Sequence, residues 1–150
     1  MRGVTLGERC KLLSTNFGTE PWLITLGDHV LISGDVTFFT HDGSTWVIRE
    51  YPEYENVVKF GAITVGNNCF IGYGAKILPG VTIGDNCIIG AGSIVAKDVP
   101  SDTVVAGVPA RAICSTWEYA DKCKANMPEY DLEAYRKDFK GEVLRVWGRK

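Results

Sequence analysis

"VGNNCFIGYGAKILPGVTIGDNCIIGAGSIVAKD" occupies residues 65–98, and aliphatic side chains return through it every six positions. Val65, Ile71, Ile77, Ile83, Ile89 and Val95 hold one slot, and Gly66, Gly72, Leu78, Gly84, Gly90 and Ala96 follow them. Two places ahead of each aliphatic stand Ile63, Cys69, Ala75, Val81, Cys87 and Ser93, mostly small or apolar, as a second inward position of limited room requires. A six-residue period does not keep one face of a 3.6-residue helix, and the glycines would weaken one. It suits a parallel β-helix, in which each hexapeptide is one side of a triangular coil and coils stack at about 4.8 Å. Three hexapeptides then complete a turn.

The frame extends upstream through Ile24/Leu26, Val30/Ile32 and Val36/Phe38, and faintly through Val4/Leu6 and Cys10/Leu12. Its phase slips near residues 14–21 and again from Thr40 to Gly61. The triplets "GDH", "GNN" and "GDN" suit tight corners, where Gly, Asn and Asp tolerate positive φ. His29 fills the slot of Asn68 and Asn86 and reads as an exposed corner residue. From Ser115 the pattern becomes helical: Ser115 and Glu118 have capping-box spacing, and Leu132, Tyr135, Phe139 and Val143 follow a helical period after Pro128. The aromatic stripe of this tail is expected to pack on the coil's end or on a neighbouring subunit. The expected organisation is a β-helical domain over 1–114 with an inserted loop at 40–61, and a C-terminal helical extension over 115–150.

At 150 residues with 45% apolar composition, one domain with a substantial core is expected. A net charge of −2 and a pI near 5.7 supply no basic field for nucleic acid. No apolar run could span a bilayer as an integral segment, and "MRGVTLGERC" lacks a signal peptide's apolar core, so the expected location is cytoplasmic. The five cysteines form no C-x-x-C pair. Neither a disulfide framework nor a zinc ribbon is suggested, and Cys69 and Cys87 read as small packing residues.

Residues 65–113 resemble the signature of the hexapeptide-repeat acyltransferases, a family that includes galactoside, maltose and virginiamycin-type O-acetyltransferases and those of bacterial capsule and lipopolysaccharide assembly. The resemblance runs from about residue 4 to residue 113. Upstream, "TNFGTEPWLITLGDHVLISGDVTFFTHDGSTW" resembles the polysaccharide-type members, and "HDGST" also echoes the antibiotic-modifying ones. The resemblance implies an all-β fold, a left-handed parallel β-helix of hexapeptide repeats with a C-terminal helical tail. It also implies a homotrimer with acyl-CoA sites between subunits. No N-terminal helical region precedes Val4, which makes maltose and serine less suitable acceptors.

Transfer of an acetyl group from a thioester to a sugar hydroxyl needs a base, and histidine, with an unperturbed pKa near 6.5, suits that task. His41 stands where the family's catalytic histidine stands, after "VTFFT" and at the mouth of the phase-breaking loop, whose length itself suggests function. Asp42, Glu20 and Asp35 are candidates to orient its ring. Asn16, Glu20, Asp42 and Trp46 are candidate acceptor contacts. Trp46, Tyr51 and Tyr54 either stack on a sugar or anchor the loop. By resemblance, Gly72, Tyr73 and Ala91 line the pantetheine arm of acetyl-CoA, and Ala96, Lys97 and Arg111 lie near its nucleotide end; Lys97 and Arg111 also read as ordinary surface charges. Ala96 stands where relatives often carry threonine, and Cys114 where galactoside enzymes carry a basic residue, which puts the nucleotide-end contacts in question.

The expected function is an acetyl-CoA-dependent O-acetyltransferase of a sugar or glycan hydroxyl in capsule, exopolysaccharide or lipopolysaccharide assembly, without a metal. An antibiotic O-acetyltransferase is the alternative within the family, and a non-catalytic solenoid binding module lies outside it. A γ-type carbonic anhydrase needs three histidines per zinc, and the chain has two.

Overall fold

A computed structural model describes residues 3–148 and divides the chain into two compact units, one ending at Trp117 and one beginning at Glu118. The outermost residues of the two expected segments, 1–2 and 149–150, lie outside the described residues.

In the first unit the strands sort into three sheets. The first holds β1 (Thr5–Leu6), β3 (Ile24–Leu26), β6 (Ile63–Val65) and β9 (Thr82–Ile83). The second holds β2 (Lys11–Leu12), β4 (Leu31–Ile32), β7 (Phe70–Ile71), β10 (Ile88–Ile89) and β12 (Thr103–Gly107), with β13 (Ala110–Ser115) at its edge. The third holds β5 (Thr37–Phe38), β8 (Lys76–Ile77) and β11 (Ile94–Val95). All pairs are parallel except β12 with β13.

Each six-residue side therefore feeds a different sheet. Val65 pairs with Ile83, Ile71 with Ile89 and Ile77 with Val95, which places every aliphatic of the repeat above its equivalent one coil away. These side chains are buried, as are Ile63, Cys69, Ala75, Val81, Cys87 and Ser93 in the second inward slot. Burial of each large aliphatic contributes about 1.5–3 kcal/mol, so this column is the main source of cohesion. Bonds between neighbouring coils span 18 residues in the regular part, but 20 across the first phase slip and 39 across the second. The coil absorbs both insertions without losing register, because Leu31 pairs with Lys11 below and with Phe70 above.

Arg9, His29, Asn68, Asn86 and Asp102 all adopt left-handed φ between 55° and 61° along one corner. His29 Nδ1 meets Asn68 Oδ1 at 2.8 Å, Asn68 Nδ2 donates to Asn86 Oδ1 at 2.8 Å, and Asn86 Nδ2 donates to Asp102 Oδ1 at 2.9 Å. His29 is a corner residue, as its slot suggests. Cys69 Sγ donates to Gly84 O and Cys87 Sγ to Pro100 O, each at 3.1 Å. The adjacent Cys87 and burial push the Cys69 thiol up. Both cysteines fill space.

The helix α2 (Thr116–Asn126) begins as the first unit ends. The second unit continues with α3 (Leu132–Lys137) and α4 (Phe139–Trp147). The helical period over 132–143 is thus interrupted, because Asp138 leaves helical geometry (φ −139°, ψ 78°) and its carboxylate caps a new helix at Gly141 N, 2.9 Å away. Within this unit Tyr135 packs edge-on against Tyr130 and Phe139.

Candidate active site

The first phase slip and the second meet in space. Asn16 bridges Thr37 in parallel, and Phe38 N donates to Asn16 O at 3.1 Å. Four residues further along each strand path, Glu20 and His41 come together: Glu20 Oε2 lies 2.9 Å from His41 Nδ1. The same oxygen accepts the Thr40 hydroxyl at 2.6 Å, and Oε1 accepts the Thr19 hydroxyl at 2.7 Å. The bonds from Thr40, then Thr19, then His41 hold the Glu20 carboxyl down to about 2. Glu20 therefore stays ionised at neutral pH and requires a proton on Nδ1, which leaves Nε2 with the free lone pair. The Glu20 side chain is 16% exposed and that of His41 47%, so the carboxylate is sheltered behind a ring that reaches solvent.

His41 sits at the loop mouth, where its backbone bridges Phe60 in antiparallel fashion; Asp42 N donates to Lys59 O and Gly61 N to Thr40 O. Its ring centroid lies 6.0 Å from that of Phe60. In front of it opens a cleft of about 290 Å³ lined by Phe39, His41, Asp42, Gly43, Leu78 and Pro79. A larger hollow of about 500 Å³ follows the second sheet past Lys11, His29, Phe70 and Thr116. Its one histidine has Nδ1 committed to the corner ladder, so size does not make it the better candidate for chemistry.

Asp42 turns its carboxylate into the loop, accepting from Lys59 Nζ at 2.9 Å and from Ser44 N at 3.0 Å. The Lys59 ammonium is the main reason its carboxyl lies well below the usual range. Of the three candidates for orienting His41, only Glu20 bonds to the ring among the described residues; Asp35 Oδ2 instead accepts from the Tyr73 hydroxyl. Asn16 Nδ2 donates to Thr37 Oγ1 at 3.3 Å. Trp46 lies on α1 (Thr45–Ile48), 78% exposed, and Tyr51 and Tyr54 are exposed too, so none of the three anchors the loop within this chain. Thr45 is the buried residue of that turn.

The residues expected at acetyl-CoA fall on two corners of the third sheet. Tyr73 and Ala91 are exposed on the corner before its strands, where Gly92 N donates to Tyr73 O. Gly72 is buried there, and a Cβ on it would lie 2.6 Å from Ala91 N. Arg111 pairs with Ala106 on the terminal hairpin, exposed. Ala96 and Lys97 are exposed after β11, at the end of the sheet that carries His41, since Leu78 of the cleft donates to Val95 O. Thr19, Thr40 and Lys59 escaped sequence reasoning; the only signal was their place at the two phase slips. Among the described residues no cluster of three His, Cys, Asp or Glu could hold a metal ion, and no helix is long and apolar enough to cross a membrane.

Residues 62–97 match the bacterial transferase hexapeptide (six repeats) family. Protein CapG of Staphylococcus aureus is 50% identical over 128 residues, which cover 83% of this chain and 73% of CapG. Galactoside O-acetyltransferase of Escherichia coli K12 is 39% identical over 128 residues, 82% of this chain and 54% of that enzyme. The crystal structure of a hexapeptide-repeat acetyltransferase from Vibrio cholerae O1 biovar eltor, complexed with acetyl coenzyme A, superposes with a TM-score of 0.63 at 31% identity, over 77% of this chain and 61% of that one. The present chain thus spans little more than half of the galactoside enzyme. Its repeat, its stacked parallel sheets and its likeness to CapG agree: the chain belongs to the hexapeptide-repeat acetyltransferase family.

Proposed function

We propose that the chain is an acetyl-CoA-dependent O-acetyltransferase of a sugar hydroxyl, built as a left-handed parallel β-helix and acting in the assembly of a capsule, exopolysaccharide or lipopolysaccharide. The observation that carries this reading is the Glu20–His41 pair at the edge of a cleft with an apolar floor of Phe39, Leu78 and Pro79. The galactoside relative supports a sugar acceptor, and the acetyl coenzyme A complex of the structural relative supports the donor.

In this mechanism His41 Nε2 takes the acceptor proton as the hydroxyl oxygen attacks the thioester carbonyl. Glu20 accepts from Nδ1–H and balances the imidazolium. The tetrahedral adduct expels the coenzyme A thiolate, and His41 returns the proton to that sulfur. Acetyl ester and free thiol leave, and His41 is neutral again.

The site is completed between copies of a homotrimer. From Asp35, on the corner that carries Tyr73 and Ala91, to His41 is six residues of extended chain, about 20 Å. Packing that corner of one copy against the His41 corner of the next brings base, Lys97, Tyr73 and Arg111 around one acyl-CoA. The exposed Val47, Ile48, Val57 and Val58 of the inserted loop supply apolar surface for such an interface.

A panel of simple glycosides, nucleotide sugars and antibiotics incubated with acetyl-CoA, read by thiol release, tests the activity. Transfer to antibiotics alone would move the assignment to that branch. Mixing the impaired His41→Ala and Arg111→Ala chains after partial dissociation, at acetyl-CoA too dilute to saturate the Arg111 variant, tests the shared site. Activity regained in the mixture is the expected result, and a sedimenting monomer of 16.5 kDa would refute it.

A further inference from the structure

The inserted loop carries a second hollow that the chemistry at His41 leaves unused. It measures about 260 Å³ and is lined by Trp46, Arg49, Glu50 and Glu55. Trp46 presents its indole there almost fully exposed. Among the described residues Arg49 and Glu50 have no side-chain partner, while Glu55 accepts only from its neighbour Asn56 at 3.2 Å. The turn that holds Trp46 begins two residues after Gly43, which lines the His41 cleft, so both hollows open along one short stretch of chain.

The lining distinguishes this hollow from the apolar side of the loop. Interface cores are depleted in charge, whereas three of its four residues are charged. An exposed indole offers an apolar platform, carboxylates accept hydrogen bonds from hydroxyls, and a guanidinium donates to them. Together they match a pyranose, which has an apolar C–H face and a rim of hydroxyls. Pockets for drug-sized ligands measure about 300–1,000 Å³, so this smaller one suits a single ring.

We propose that the hollow at Trp46, Arg49, Glu50 and Glu55 is a secondary sugar subsite, which holds the pyranose next to the one acetylated at His41. This rests on the sugar-acceptor reading above and narrows it: the acceptor is a glycan of at least two residues, not a free monosaccharide. The reaction that supplies it is therefore a glycosyl transfer that has already joined the two sugars.

The test compares acetyl transfer to methyl β-galactoside and methyl β-glucoside with transfer to methyl β-lactoside and methyl β-cellobioside, in the parent and in Trp46→Ala and Glu50→Gln. The parent should show a KM about tenfold lower for a disaccharide than for its monosaccharide. Both variants should close that gap while sedimenting as the parent does. Equal KM values for the two sizes in the parent, a gap untouched by either substitution, or loss of assembly in Trp46→Ala would each overturn the subsite. No transfer to any glycoside would instead overturn the sugar-acceptor reading, and the subsite with it.

Discussion

Glu20 Oε2 lies 2.9 Å from His41 Nδ1 although 21 residues separate them, and the Thr40 hydroxyl binds the same oxygen at 2.6 Å. The Thr19 hydroxyl binds the other oxygen, Oε1, at 2.7 Å, so two hydroxyls fix the carboxylate against which the imidazole rests. A ring held in this way keeps its tautomer and its aim, which a solvated histidine does not.

Removing that hold should reduce turnover without disturbing the donor. Glu20→Ala should reduce kcat by about 10- to 100-fold, with acetyl-CoA KM within a few fold, and Glu20→Gln, which still offers an acceptor to Nδ1–H, should lose less. An equal loss in kcat and in acetyl-CoA affinity would show that Glu20 merely holds the fold.

The same carboxylate predicts an acid-sensitive stability. Its pKa falls from 4.5 to about 2 in the folded chain, chiefly through the Thr40 bond. The folded state thus binds fewer protons than the unfolded one in that range. The contribution is complete above pH ~4.5 and is lost as pH falls toward ~2. Calorimetry of the parent and of Glu20→Gln should show their melting temperatures converging across this window. Parallel curves would remove the linkage, since Asp42 and Glu142 titrate alike in both proteins.

How far the sequence carried depends on whether information repeats along the chain. The inward slots recur in every coil, so the period survives atypical residues such as Leu78 and Ala96 in the glycine slot, and comparison with Asn68 and Asn86 places His29 on its corner. Glu20 could not be chosen over Asp35 or Asp42 in that way. The choice follows from the pairing of Asn16 with Thr37, a contact between two irregular segments, and from the Tyr73 and Lys59 side chains that engage the other two carboxylates. The break at Asp138 was hidden because its capping contact looks forward only three residues, inside a stripe that otherwise keeps its helical period.

Gly72 tests the close approach of coils beneath the proposed coenzyme groove. A Cβ there would meet the backbone of Ile89 and Ala91 at 2.6 Å, whereas one on Gly43 would meet nothing within 4 Å. Gly72→Ala should cost about 1–3 kcal/mol in denaturant unfolding, and Gly43→Ala within about 0.5 kcal/mol. Equal costs would mean that the coils can part to admit a methyl group.

Lys97 and Arg111 are exposed, and Arg111 bonds only to Ala110 O among the described residues. If they hold the phosphates of acetyl-CoA, each charge-assisted bond contributes about 1.5–3 kcal/mol. Replacing either by alanine should weaken acetyl-CoA binding by about tenfold or more in calorimetry, and increasingly so at low ionic strength. Unchanged affinity in both variants would return them to the role of surface charges.

If His41 is the base in a direct transfer, as proposed, no cysteine carries the acetyl group. Cys69 and Cys87 are buried with their S–H groups turned to backbone carbonyls, which closes both sulfurs to substrate. His41 by contrast lines the cleft, and its Nε2 has no hydrogen-bond partner among the described residues. His41→Ala should therefore reduce kcat by about 10² to 10⁴ and leave acetyl-CoA affinity within a few fold, as for a group that acts mainly in the transition state. Two-substrate initial rates should give intersecting lines, because acceptor and donor must be bound together for the hydroxyl to reach the thioester. Mass spectrometry after incubation with acetyl-CoA alone should find the chain unmodified. A near-normal rate from His41→Ala, or an acetylated cysteine that clears on addition of acceptor, would replace direct transfer with a covalent route.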